Sequence, residues 1–260
     1  MLIKTSDAHP LVISAIRSST AAVCLLIYLR GKPRFTFSKP QIIGALCYAA
    51  TLTSFVAANK LTTAANAILL QYSSPLFVAL LSRLIFKEKM RRFDYASMTG
   101  IALGLALLLS GTDGFGSLAG NVVALSSGFF FGSFMVSLKM HKNGSQVETI
   151  ILGNLVAALI GLPFIFTTAF SLTVIPPVAF LGAFQIAAPY AMFAKASESA
   201  SALDMSVIPM IEPLLNPLWV YLVTKETPAP VTFAGGAVLL GVIFLRSVLM
   251  LRKQPKATNP

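Results

Sequence analysis

The chain has 260 residues, 56% of them hydrophobic and 11% charged, with a formal net charge of +11 and a mean hydropathy of +0.79. A soluble domain carries about 25% charged residues, so a soluble enzyme is excluded, and no heptad or Gly-X-Y period supports a coiled coil or a collagen-like rod. Two cysteines, Cys24 and Cys47, and two histidines, His9 and His141, are too few and too scattered for a disulfide framework or a metal cluster.

The uncharged stretches between the sparse charges define the expected elements. In chain order they are Ala8 to Leu29, interrupted by Arg17; the stretch between Lys39 and Lys60; Leu61 to Ser82; Tyr95 to Thr112; and Gly114 to Leu138. Thr149 to Ala194 follows, 46 residues without a charge, read as two helices joined by a tight turn near Ser171 to Pro177. Met205 to Thr224, interrupted by Glu212, and Thr227 to Leu245 complete the series. A hydrocarbon core of about 30 Å needs roughly 20 residues of helix. The expectation is therefore an all-α membrane protein with nine visible transmembrane helices.

Sixteen of the 20 Lys and Arg fall in alternate connections: Arg30 to Lys39, Arg83 to Arg92, Lys139 and Lys142, Lys195, and the tail from Arg246 to Lys256. The positive-inside rule places that set and the C-terminus in the cytoplasm, in the inner (plasma) membrane, and with nine spans it places the N-terminus outside. The basic charge is thus accounted for by topology, and no nucleic-acid partner is expected. The first apolar run is followed by Arg30-Gly31-Lys32-Pro33-Arg34 rather than a cleavage site, which speaks against a signal peptide.

An internal repeat is visible at a constant offset of 138. Residues 58–89 set against 196–227 pair Ala58 with Ala196, Ala64 with Ala202, Pro75 with Pro213, Leu76 with Leu214, Lys87 with Lys225 and Glu88 with Glu226. The helices holding these segments are expected to face opposite ways, the arrangement of inverted repeats in secondary transporters.

The residues that carry this pattern are Thr62-Thr63-Ala64-Ala65-Asn66, Pro75-Leu76, Lys87-Glu88-Lys89 and Gly100 to Gly104. A second copy holds Ala200-Ser201-Ala202, Glu212-Pro213-Leu214, Lys225-Glu226 and Gly235-Gly236 to Gly241. In this the chain resembles the EamA family of the drug/metabolite transporter superfamily. The resemblance implies ten helices in two inverted five-helix repeats, here 4(5)+5, because the family's first helix has no counterpart before Met1. It implies a first repeat over 1–112, a second over 113–251 and a basic cytoplasmic tail over 252–260. Arg17 matches an Arg that the family's second helix usually carries early in its apolar run.

Candidate site residues are polar groups at membrane depth. Glu212 is the eighth residue of its span, about 11 Å deep, where a charge costs on the order of 2.5–3.5 kcal/mol. It reads either as a cation or proton site or as a structural acid bonded to a neighbouring helix. Arg17 reads as a contact for an anionic group, as a partner of Glu212, or as a side chain that snorkels outward. Pro209, Pro213 and Pro217 recur on one helical face and free carbonyls there. Pro75, preceded by Gln71, Tyr72, Ser73 and Ser74, gives the matching break in the first half. Such breaks read either as cavity lining or as passive kinks closed by neighbours. Tyr190, Asn216 and Trp219 complete the expected substrate-binding set. Gly100-x-x-x-Gly104 and Gly128-x-x-x-Gly132 are faces for close helix packing.

Function on this reading is secondary transport, as an exporter, of a small metabolite or amino-acid-like solute by alternating access. The partners are that solute and membrane lipid, with proton coupling through Glu212, in a monomer or homodimer without cofactor, metal or catalytic residues. An alternative is a non-transporting membrane protein, either a truncated relic or a lipid-flipping accessory subunit.

Overall fold

The computed structural model describes residues 8–87, 92–110, 117–140, 146–196 and 230–251, and every extended element in them is helical. The helices are α1 (Pro10–Tyr28), α2 (Lys39–Leu61), α3 (Ala64–Gln71), α4 (Ser74–Phe86), α5 (Arg92–Ser110), α6 (Leu118–Met140) and α7 (Gln146–Thr167). A 3-10 turn, Leu172–Val174, then leads into α8 (Ile175–Leu181), a π-helical turn (Gly182–Ala187), α9 (Ala188–Ala196) and finally α10 (Pro230–Leu251). Five stretches are long and apolar enough to cross a membrane: Pro10–Tyr28, Lys39–Leu61, Leu118–Leu138, Gln146–Thr167 and Leu172–Met192. Two shorter apolar stretches accompany them, Ser74–Phe86 and Tyr95–Leu107. Most helices follow the expected spans, the span at 61–82 being divided between α3 and α4; the span at 205–224 lies outside the described residues.

Local chemistry sets the helix ends. Pro10, Pro40, Pro75 and Pro176 stand in the first turns of α1, α2, α4 and α8, where a missing N–H costs nothing. Ser38 accepts the Gln41 amide at 3.4 Å to cap α2. Between α3 and α4 the ladder fails at Tyr72 and Ser73: Pro75 has no N–H to offer the Gln71 carbonyl, and the Leu76 amide turns to Ser73 O at 2.9 Å instead of Tyr72 O. The third expected span is thus two helices end to end. The turn after α7 falls at residues 168–171, with Ser171 accepting the Thr173 amide, slightly before its expected centre. Pro163 does not interrupt the chain here, since α7 runs through it to Thr167.

The contacts divide the chain into two compact units, residues 1–88 with 115–194 and residues 89–114 with 195–260, so each half of the sequence contributes to both. In the first unit α2 packs along α6 and α7, α1 packs along α7 and the π-helical turn, and α3 and α4 lie against α6. Its core joins Leu25, Tyr48, Leu52, Phe134, Ile150, Ile151 and Ile186. In the second unit α5 packs on α10, where Gly100 meets Val242 and Gly104 meets Leu239. Large apolar side chains also cover outward faces, among them Ile27, Leu84, Leu159, Phe166, Phe184 and Met192. A chain that buries polar groups and exposes apolar ones on this scale is built for lipid. Both glycine pairs named from the sequence serve packing within the chain, Gly128 and Gly132 meeting the α3–α4 break.

Candidate substrate site

The most unusual interior side chain is Arg17. It is the eighth residue of α1, about 10 Å from the helix start, and it is 2% exposed. Ser14, one turn earlier on the same face, and Ser18, on the adjoining face, are fully buried, so α1 presents polar groups to its neighbours over a broad front. One terminal nitrogen of the guanidinium donates to Gln185 Oε1 at 3.4 Å, and its carbon lies 6.0 Å from the Phe55 ring centroid. Among the described residues no carboxylate pairs with it, and its Nε has no hydrogen-bond partner.

Tyr48 extends this cluster from α2. Phe55 stands two turns further along the same helical face, and Tyr48 is buried between the rings of Phe134, at 4.8 Å, and Tyr190, edge-on at 5.6 Å. Its hydroxyl lies beside Tyr190 and Asn154, and the Arg17 charge acts on it at longer range. Asn154, on α7, donates to the Ile150 carbonyl at 2.9 Å, while its Oδ1 is buried without a partner among the described residues. Of the expected site residues, Tyr190 packs on Tyr48, and Arg17 contacts Phe55 on the same helix as Tyr48. Gln185 sits in the π-helical turn, a distortion common at functional positions.

A second polar line crosses the same unit through the α3–α4 break. Gln71 Nε2 donates to Ser127 Oγ at 3.0 Å, and Ser127 Oγ donates to the Thr51 carbonyl at 3.4 Å. Thr51 is three residues from Tyr48 on α2, so both polar groupings rest on that helix. Ser73 is 2% exposed and lies beside Gly128, where a β-carbon would stand 2.6 Å from its Oγ. Ser73 thus belongs to the helix contact. Tyr72 is half-buried in the break.

Glu212, Asn216 and Trp219, with Pro209, Pro213 and Pro217, lie outside the described residues. The sequence reading missed Tyr48, Asn154 and Gln185, because uncharged polar residues within an apolar run give no signal until their neighbours are known. It also left Glu148 unremarked. This carboxylate is buried in the first turn of α7 and accepts the Arg34 amide at 3.0 Å. Among the described residues no group of three or more His, Cys, Asp or Glu is placed to hold a metal ion.

Apolar outer faces, a broken apolar helix and a buried guanidinium at mid-helix together describe a helical membrane protein with a polar interior. The chain belongs to the EamA-like transporter family, whose model matches residues 1–110 and 118–248, consistent with the drug/metabolite transporter superfamily and its membrane transporters. No curated protein matches the sequence. A solved crystal structure of a protein shares the fold with a TM-score of 0.71, over 97% of this chain and 92% of the other, at 18% identity.

Proposed function

We propose that this protein is a secondary transporter that exports a small metabolite or amino-acid-like solute across the inner (plasma) membrane by alternating access. On this reading nine helices span the membrane in inverted repeats, with the C-terminus in the cytoplasm and Pro75 and Pro213 as corresponding bends. The observation that supports it most is the broken helix at Gln71–Ser74, set against a polar line through Ser127 to Thr51. Backbone groups left open in an apolar bundle are tolerated where protein or water satisfies them, which is how substrate paths are lined. The substrate-binding set is Arg17, Gln71, Tyr72, Ser73, Tyr190, Glu212, Asn216 and Trp219, with a proton coupled through Glu212.

The test is reconstitution in proteoliposomes with a panel of labelled cationic, neutral and anionic metabolites, loaded either inside or outside. Movement of at least one solute that saturates with concentration and is trans-stimulated by the same solute is the expected result. Absence of counterflow across the panel in correctly folded protein overturns the reading, and faster uptake than efflux overturns the export direction.

A further inference from the structure

The short connection between α1 and α2 joins two helices long and apolar enough to cross a membrane, so it stands at the level of the lipid headgroups. Four basic side chains are exposed on it and at its edge: Arg30, Lys32, Arg34 and Lys39. The sequence holds no Asp or Glu from residue 8 to residue 87. The carboxylate that touches the connection, Glu148, is buried, with one oxygen taken by the Arg34 amide and the other without a hydrogen-bond partner among the described residues. The positive charge is therefore left to an outside counter-charge.

Phe37 is the second, independent observation. It is 61% exposed and holds a left-handed backbone at φ 47°, a conformation that bulky residues rarely adopt. Fully buried Gln41 keeps it there, its side-chain oxygen accepting the amides of Thr36 and Phe37. The Phe37 ring leans on Phe35, with 5.7 Å between centroids, and Phe35 packs against the core. Strain kept at one position points to a use for what it displays, and what it displays is an apolar ring among basic side chains. Exposed Ile27 and Tyr28 on α1 and Ile42 and Ile43 on α2 bring apolar surface up to the connection from both helices.

We propose that the α1–α2 connection is a docking surface for an anionic phospholipid, whose headgroup phosphate meets the basic side chains while Phe37 enters the acyl boundary. A free phosphate answers the charge alone and leaves the ring in water. The inference needs the membrane placement of the two helices, and neither transport nor a direction of flux.

The probe is dioleoyl phosphatidylglycerol, with dioleoyl phosphatidylcholine as its zwitterionic counterpart, each titrated onto the delipidated full-length protein in dodecyl maltoside and counted by native mass spectrometry. The first phosphatidylglycerol is expected to bind at least tenfold tighter than phosphatidylcholine. Each basic side chain near an anionic surface contributes about fivefold, so Lys32→Gln with Arg34→Gln is expected to weaken it by about tenfold or more, and Lys253→Gln with Lys256→Gln, the same change of charge in the tail, by about twofold at most. Phe37→Asn removes the ring and keeps a residue that tolerates the left-handed backbone; a severalfold loss is expected. Equal affinity for the two lipids overturns the proposal on the unaltered protein, before any variant has to fold. Equal losses in the two charge pairs overturn it as well, by reducing the surface to unspecific attraction. Full displacement of the phosphatidylglycerol by inorganic phosphate at constant ionic strength would make it a site for soluble anions and overturn the lipid assignment.

Discussion

The backbone carbonyl of Arg17 lies so close to Gly182 that a β-carbon there would overlap it, with the Thr20 side chain next in line. Two helices approach at backbone distance at the level of the buried guanidinium, and the glycine opens the π-helical turn that delivers Gln185.

Gly182→Ala is therefore expected to destabilise the protein by about 1–3 kcal/mol, the usual cost of overfilling a packed interior, and to break the contact between Gln185 and Arg17. A lower melting temperature in detergent, with substrate affinity reduced beyond the loss in folded fraction, is the outcome to look for. A variant as stable as the parent would show that the two helices separate easily.

Gln71 and Ser127 are expected to be coupled. Hydrogen bonds between helices in a membrane are worth about 0.6 kcal/mol on average and up to about 1.7. A double-mutant cycle with Gln71→Leu and Ser127→Ala, read by reversible unfolding in mixed micelles, should return a coupling in that range. The Gln71→Leu change alone should also slow transport, because it sits at the helix break. A coupling of zero would mean that the 3.0 Å contact contributes nothing.

Topology reporters placed at Lys142 and after Pro260 are both expected to read cytoplasmic. The reasoning is the distribution of Lys and Arg among alternate connections. An external reading at either position would invalidate the orientation.

Glu212→Gln separates coupling from scaffolding. The amide keeps shape and hydrogen bonding but does not titrate, so accumulation driven by a pH gradient should vanish while downhill exchange persists. Persistent pH-driven accumulation in that variant would make Glu212 a structural acid and remove proton coupling from the mechanism.

Much of the fold was legible because membrane helices advertise their length: the interval from Lys39 to Lys60 is α2 almost to the residue. Pro75 correctly marked the break between α3 and α4, since an interior proline withholds a donor wherever it sits. Pro163 shows the limit of that rule, because α7 continues past it; the consequence of a missing donor depends on the neighbours. Charge and chain-breaking are what single out Arg17 and Gln71 to Pro75 as candidates in the sequence. Tyr48, Asn154 and Gln185 were not, because each becomes informative through a contact with a helix distant in sequence. The π-helical turn at Gly182–Ala187 likewise leaves no periodic trace over six residues.

The connection between α1 and α2 is held by side chains of the helices around it. Glu148 on α7 takes the Arg34 amide, and Gln41 on α2 takes those of Thr36 at 3.0 Å and Phe37 at 2.8 Å. A loop bound at three successive points acts as a splint rather than a hinge. It fastens the start of α7 to the hairpin of α1 and α2, tying together the three helices that bear Arg17, Tyr48 and Asn154. The segment that carries Gln185 and Tyr190 lies against the same cluster but takes no part in this splint.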